Sequence, residues 1–424
     1  MFGQIFMLAV FCVTYYFILS SKFKTSVMVF LMGLFVSLAR LVASMNLENL
    51  PRFIDFNTIG LLTGMMIIVG LLKAAGFFQY VAIMAVKLGH GHVRRTLCII
   101  TLTVALLSAF LDNVTTILIF APILFFISDV VGIDATYLMI STILASNIGG
   151  AATMIGDPPN IIIGSASRLS FTSFIVHLAP ICVLILILLI LIWFKKVPAD
   201  KNMEDKLKQI AATDPKTAIV DKKKTLALLF VFVAVIIGFA LHEVLNYEMA
   251  LISMIGATVS LLIFGKSFEE ASKEIEWDTL FFLVGLFMIT YAMREVRLID
   301  YITRVVGGIR SPYLTLTVMI WLSGFAGMFL SAVPTTTVMI PVVQSLVSNG
   351  MNTSMWWALS LGVSLGANGT TVGAAANIVG LALLKKYRNE IVTFTYFTKK
   401  TMPVTILMLC LVNVYVALMY YMSW

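Results

Sequence analysis

Asn147-Ile148-Gly149-Gly150-Ala151-Ala152-Thr153-Met154-Ile155-Gly156-Asp157-Pro158-Pro159-Asn160 interrupts a hydrophobic segment long enough to cross a membrane. Two adjacent prolines and a run of small polar residues break a helix, and inside a bilayer that is tolerated only where the freed backbone is buried in protein or lines a watery cavity. The chain repeats the pattern at Gly366-Ala367-Asn368-Gly369-Thr370-Thr371-Val372-Gly373, followed by Asn377. Gly156 and Asn160 fall on Gly373 and Asn377, since 373 − 156 and 377 − 160 both give 217. A second interruption lies upstream of each break. Phe110-Leu111-Asp112-Asn113-Val114-Thr115-Thr116, running up to Pro122, aligns without gaps on Phe329-Leu330-Ser331-Ala332-Val333-Pro334-Thr335, running up to Pro341, because 329 − 110 and 341 − 122 both give 219. Breaks at corresponding places in two apolar halves point to the substrate site of a secondary transporter.

Composition agrees with a membrane protein. The chain is 60% hydrophobic and 12% charged, with a mean hydropathy of +1.01, and it carries many stretches long enough for a hydrocarbon core about 30 Å thick. The net charge of +8 does not indicate nucleic acid, because most Lys and Arg sit in short loops between apolar segments, where they orient the chain. Cys12, Cys98, Cys182 and Cys410 are widely separated and apolar in context, with neither disulfide nor metal spacing. His90, His92, His177 and His242 share no ligand spacing beyond the loop pair. Met1 to Ser20 lacks a basic n-region and a small-residue cleavage site, so a retained helix is expected there.

Apolar crossings are expected near 4–20, 25–46, 57–74, 136–166 and 172–194, with the interrupted segment 96–130 forming a re-entrant hairpin. The second half repeats this near 225–242, 248–264, 277–294, 357–384 and 400–421, with its hairpin at 313–349. The fold class is therefore an all-α integral membrane protein of two inverted-topology repeats, each about five crossings plus one hairpin and a broken helix. Residues 1–196 form the first repeat, 197–224 a cytoplasmic linker, and 225–424 the second repeat. With both ends outside, the cytoplasmic loops collect Lys22, Lys24, Lys87, Arg94, Arg95, the Lys195–Lys224 linker with Pro198, Lys266, Lys273, Lys385, Lys386, Arg388, Lys399 and Lys400. The run Arg294, Arg297, Arg304 and Arg310 falls outside, on an interfacial amphipathic helix unless the second half has one crossing more or fewer. Lys73 and Arg294, 221 residues apart, and Arg40 read as interfacial snorkelling.

The chemistry is expected where the hairpin tips meet the broken crossings. Half-helix ends offer unpaired N–H and C=O groups to anions and cations. Asp112, Asn113, Thr115, Thr116, Asn147, Gly149, Gly150, Thr153, Asp157 and Asn160 line one half of that site. Ser331, Thr335, Thr336, Asn368, Gly369, Thr370, Thr371 and Asn377 line the other. The competing reading is that the small residues only let helices approach closely. Asp112 and Asp157 have no acidic counterparts, the equivalent positions being Ser331 and Ala374. A carboxylate at membrane depth is a functional candidate, so both are expected to carry ion coupling, Asp112 first, unless either merely caps a half-helix. A sodium ion at Asp112, Asn113 and Asn147 is the metal site to test, with no other cofactor expected.

Phe110 to Thr116 together with Ser146 to Asn160 resembles the signature of the ion transporter superfamily, nearest its ArsB/NhaD branch of arsenite-efflux permeases, sodium/proton antiporters and the pink-eyed-dilution type. Gly366 to Gly373 resembles that family's matching segment. The resemblance implies inverted repeats divided into a scaffold and a mobile transport portion, a homodimer, and alternating-access movement of a small inorganic ion or neutral hydroxylated solute in a multi-pass cell membrane (the inner membrane in a Gram-negative cell). The partners are then the lipid bilayer and a small ion or polar solute. Sodium-coupled dicarboxylate or citrate transport is the rival. Those symporters carry Ser-Asn-Thr at each tip, whereas here the tips read Asp112-Asn113-Val114 and Ser331-Ala332-Val333, with no Lys or Arg inside the motifs to hold a dianion. A channel could reuse broken helices, but inverted repeats suit alternating access. No nucleophile, base or metal constellation supports an enzyme.

Overall fold

Apolar runs set the helices, and caps set many of their ends. The computed structural model describes every residue except 1, 21–23, 40, 41, 43, 198–203, 206, 208–213, 310, 423 and 424. Lys22, Arg40, Arg310, Pro198 and much of the linker's charge thus lie outside the described residues. The first half forms α1 (Phe2–Ser20), α2 (Thr25–Leu38), α3 (Phe56–Ala74), α4 (Phe77–Leu88), α5 (Val93–Ser108), α6 (Asn113–Val131), α7 (Ala135–Gly150), α8 (Pro158–Ser167) and α9 (Phe171–Trp193). The second half forms α10 (Lys222–Leu245), α11 (Met249–Phe264), α12 (Trp277–Glu295), α13 (Asp300–Gly307), α14 (Pro312–Leu330), α15 (Ala332–Ser348), α16 (Ser354–Gly366), α17 (Ala375–Arg388) and α18 (Phe394–Tyr421). Single helical turns, Leu50–Phe53 and Phe268–Ala271, precede α3 and α12. Asp55, Asp112, Ser170, Asp221, Ser311 and Thr393 accept backbone N–H groups at the starts of α3, α6, α9, α10, α14 and α18.

Seven helices among the described residues are individually long and apolar enough to cross a membrane: α3, α6, α9, α10, α12, α14 and α18. Of these, α6 and α14 are hairpin arms, while the crossings α7–α8 and α16–α17 are each split by a break and so fail a length test. The run at 25–46 is shorter as a helix than its hydropathy suggests. α2 stops at Leu38, and the chain folds back so that the Ser37 hydroxyl reaches the Met45 carbonyl at 3.4 Å. Of the arginine run, Arg294 lies in the last turn of α12, Arg297 lies in the connection after it, and Arg304 is exposed on the short α13 beside Tyr301 and Val305, with Val306 buried.

The repeats are related by exchange of their packing partners. α3 packs on α11 and α12 on α2; α8 packs on α15 and α17 on α6; α7 packs on α17 and α16 on α8. Each pair is its partner with the repeats swapped. Individual bonds obey the same exchange. At the start of α3, Asn57 Oδ1 accepts from the Ala250 N–H at 3.1 Å; at the start of α12, Asp278 Oδ1 accepts from the Ser26 hydroxyl at 2.7 Å. Gly64 and Gly285, 221 residues apart, sit where a Cβ would meet Ser253 and the Val29 carbonyl at 2.6 Å each, so only glycine lets these helices touch. Outward, Leu226, Phe230, Val233, Ile237, Leu241 and Val244 form an exposed apolar stripe along α10 at helical spacing, the surface a hydrocarbon solvent requires.

Candidate functional site

Each hairpin tip is tied to the break of its own repeat by an equivalent bond. The Thr153 hydroxyl donates to the Ala109 carbonyl, and the Thr370 hydroxyl donates to the Met328 carbonyl at 2.5 Å. Asn160 and Asn377 brace the two breaks alike. Asn160 Nδ2 donates to the Ala151 and Thr153 carbonyls at 3.2 and 2.9 Å; Asn377 Nδ2 donates to the Ala367 and Thr370 carbonyls at 2.9 and 2.7 Å. These amides satisfy carbonyls freed where the helix unwinds, which is how a broken helix is held at membrane depth.

The breaks are also bound to each other. Asn147, on the last turn of α7, donates from Nδ2 to Asn368 Oδ1 and to Asn377 Oδ1, both at 2.9 Å. The Ser360 hydroxyl of α16 donates to Asn160 Oδ1 at 2.6 Å. All four asparagines are at most 1% exposed. Asn147 Oδ1 is buried without a hydrogen-bond partner, and Ser364, 217 residues on in the equivalent last turn, is placed against Asp157.

The two carboxylates have different environments. Asp112 turns back onto its own helix and accepts from the Val114 and Thr115 N–H groups at 2.8 and 3.0 Å. Asp157 caps nothing. It is buried, and Asn113 Nδ2 reaches its Oδ1 at 3.5 Å. Asn113 in turn accepts from the Ser108 hydroxyl at 2.5 Å, which shares a 2.9 Å bond with Ser146. The capping role that sequence leaves open for both acids thus falls to Asp112. Asp112, Asn113 and Asn147 point into three separate sets of partners and do not bond to one another.

The remaining candidates divide plainly. Thr116, Thr335 and Thr336 donate to carbonyls one turn back in their own helices, and Thr371 is half-buried. Gly149, Gly150 and Gly369 are close-approach positions against Ala105, Asn113 and Met328. Ser331 adopts φ 72°, ψ 150° without capping α15, a region that strains any residue but glycine. The tip is fastened instead by the Ala332 N–H, which donates to the Gly373 carbonyl at 3.0 Å.

Two cavities lie at opposite ends of α3 and α12, and the first reaches the core at Asp112. The first, about 240 Å³, is lined by Met65, Val69 and Lys73 of α3, by Asp112 and Thr115, and by Lys273, Glu274 and Glu276. The second, about 310 Å³, is lined by Phe287, Thr290, Tyr291 and Arg294 of α12, by Thr337 and Gln344, and by Arg52, Phe53 and Asp55. Val69, Lys73, Lys273, Glu274 and Glu276 correspond to Thr290, Arg294, Arg52, Phe53 and Asp55 at the same offset of 221. Glu276, just ahead of α12, is pushed up to about 7, first by burial and then by the charge of Asp112, against the lowering influence of Thr279 and Lys73. Motif reading missed Glu276 and Arg52. The offset that pairs Lys73 with Arg294 would have found them.

A family model described as citrate transporter matches residues 14–362. The chain belongs to the citrate transporter family. An uncharacterized transporter of Mycobacterium tuberculosis is 36% identical over 378 residues, covering 87% of each chain. The P protein of Homo sapiens is 29% identical over 430 residues, covering 81% of this chain and 51% of that one. The resemblance to the ion transporter superfamily on its pink-eyed-dilution side therefore holds. Among solved structures, the Alcanivorax borkumensis YdaH transporter, described as having an unusual topology, superposes with a TM-score of 0.62 at 14% identity over 90% of each chain. At that identity the likeness speaks for the fold. This citrate-transporter-family chain is a membrane transporter with inverted repeats.

Proposed function

We propose that the chain is an ion-coupled secondary transporter of the cell membrane that works by alternating access, with Asp157 as the coupling group and a proton as the coupling ion. The observation that carries this is the pair of repeat-exchanged cavities at opposite ends of α3 and α12, with a buried polar core between them. Inverted repeats interconvert by exchanging the conformations of their halves, opening one cavity as the other closes. Asp157 is a buried acid that stands at the start of α8 without a side-chain bond to that helix and without an ion pair among the described residues, the condition for a carboxyl that binds and releases a proton as access changes. Asp112 lies close enough to act electrostatically on both Asp157 and Glu276, so acids lead from the first cavity to the core.

The cargo of this reading is a small inorganic ion or neutral hydroxylated solute, as in arsenite or antimonite efflux or sodium/proton antiport. A citrate-like carboxylate is the second reading, favoured by the description of the family model. A homodimer follows from the family resemblance. The test is transport by purified protein in liposomes under an imposed pH or sodium gradient, screening arsenite, antimonite, silicate, sodium and citrate. Gradient-driven accumulation of one of them is expected. Flux that ignores both gradients and shows single-channel currents would replace the transporter by a channel.

A further inference from the structure

The two cavities are related by the repeats, yet their charges are opposite. In the first, Lys73 and Lys273 face Asp112, Glu274 and Glu276, and Lys73 is paired with Glu274 at 3.8 Å. In the second, Arg52 and Arg294 face only Asp55. Phe53 stands where the first cavity has Glu274, removing the acid that would pair with Arg294. Asp55 is already engaged: Oδ1 accepts from the Asn57 and Thr58 N–H groups at 3.1 Å each, and Oδ2 accepts from the Thr58 hydroxyl at 2.6 Å. Neither guanidinium has an ion pair or hydrogen bond among the described residues.

The location sharpens this contrast. The second cavity opens at the ends of α3 and α12 away from the linker, the face that the positive-inside bias leaves poor in Lys and Arg. Arg294, Arg297 and Arg304 cluster there against that bias, so orientation does not explain them. Arginine is the side chain suited to planar, two-point recognition of oxyanions. Tyr291 of α12 and Gln344 of α15 also line this cavity, the Tyr291 hydroxyl bonded to Ser44 and Gln344 Nε2 donating to the Ala166 carbonyl.

We infer that Arg52 and Arg294 form an outward-facing capture site for an oxyanion, a carboxylate or an inorganic oxyanion, that loads the transporter from the side opposite the linker. The first cavity, with its excess of acids, disfavours the same anion and so promotes its release. The inference rests on the transport reading but selects an anion as cargo, taken up from outside.

The experiment separates the two. Binding of citrate and of inorganic phosphate to purified protein is measured calorimetrically in wild type, Arg52→Gln, Arg294→Gln, Arg52→Lys and Arg304→Gln, and uptake is measured in liposomes. Each glutamine variant should weaken binding and raise the uptake KM by about tenfold or more, the effect of one lost charge-assisted bond, with kcat little changed. Arg52→Lys should recover part of the loss, and Arg304→Gln, outside the cavity, none of it to recover. Stronger binding of citrate marks a carboxylate site, and stronger binding of phosphate an inorganic one. Absence of binding by both anions to wild type, or equal binding by wild type and both glutamine variants, overturns the inference whatever the transport result. Anion binding that depends on both arginines without any gradient-driven flux would instead sustain the site and refute the transport reading.

Discussion

Asp157→Asn should uncouple transport while leaving the protein folded, whereas Asp112→Asn should leave both coupling and fold intact. The structure sets the contrast. Asp112 caps α6 through two N–H bonds, and Asn is about as good an N-cap as Asp, so Asp112→Asn keeps the cap; Asp112→Ala should cost about 1 kcal/mol of stability. Asp157 meets Asn113 Nδ2 at 3.5 Å and caps nothing. An asparagine carbonyl can keep that contact, and the substitution also removes the cost of ionising a buried carboxyl, so stability should hold or rise. The functional loss is large by comparison. A gradient of two pH units supplies about 2.7 kcal/mol per coupled proton, enough for about 100-fold accumulation of cargo. Asp157→Asn should bring that ratio to unity, with cargo only equilibrating or exchanging. The assay is accumulation in liposomes at several pH values, beside thermal unfolding of the same preparations. If Asp157→Asn still accumulates cargo with wild-type pH dependence while Asp112→Asn does not, the assignment is reversed and the cap is the coupling group.

Gly149→Ala and Gly366→Ala should each destabilise the protein by about 1–3 kcal/mol, seen as a lower unfolding temperature in detergent, because each new Cβ would overlap a carbonyl of the neighbouring hairpin helix, Ala105 or Gly324. A glycine serving only a ligand would instead change transport at constant stability. Glu276 has its folded pKa raised to about 7, so its contribution to stability is fully present below the ordinary carboxylate pKa and is lost as pH rises through about 7. Wild type should therefore lose stability between about pH 5 and 8, and Glu276→Gln should lack that component; identical pH profiles would exclude Glu276 as the titrating group. Cysteine pairs at Val69 with Thr115 and at Thr290 with Thr337 sit across the first and second cavities respectively. Cross-linking either pair should arrest transport, and the two cross-links should exclude each other in one molecule.

The repeats and breaks were legible because their signals are compositional. Proline, glycine and asparagine inside apolar runs leave few structural choices in a membrane, and two constant offsets tie the halves together. The partners of the site were not legible. Ser108, Ser146, Ser360 and Ser364 are ordinary helical serines in sequence, and only tertiary packing brings them to Asn113, Asn160 and Asp157. Spacing likewise cannot tell which way a carboxylate turns. Asp112 and Asp157 both precede half-helices, yet Asp112 reaches back to its own N–H groups, whereas α8 begins with Pro158 and Pro159, which have no N–H to offer. Gly149, Gly150 and Gly369 were legible as special positions, but what makes them special is the closeness of a neighbouring helix.

The bonds in the core also indicate which parts can move. Each tip is fastened to its own break through Thr153 or Thr370, and the breaks are fastened to each other through Asn147, Ser360, Asn160 and Asn377. Loosening any of these would leave buried amides or carbonyls unpaired, at about 1–3 kcal/mol each, so tips and breaks behave as one body. The surfaces that this body presents to α3 and α12 are different. There Leu118, Ile155, Ile161, Ile162 and Ile340 share the cavity walls with Met65, Met66 and Val69 of α3 and Phe287 of α12, and such contacts are non-directional and can slide without breaking a hydrogen bond. α3 and α12 are in turn held by α11 and α2 through the bonds at Asn57 and Asp278. Two internally bonded bodies with an apolar seam between them, and a cavity at each end of that seam, can rock so that widening one end narrows the other. Such rocking would disfavour simultaneous opening of both cavities, which is what the proposed coupled transport requires of the seam and a pore does not.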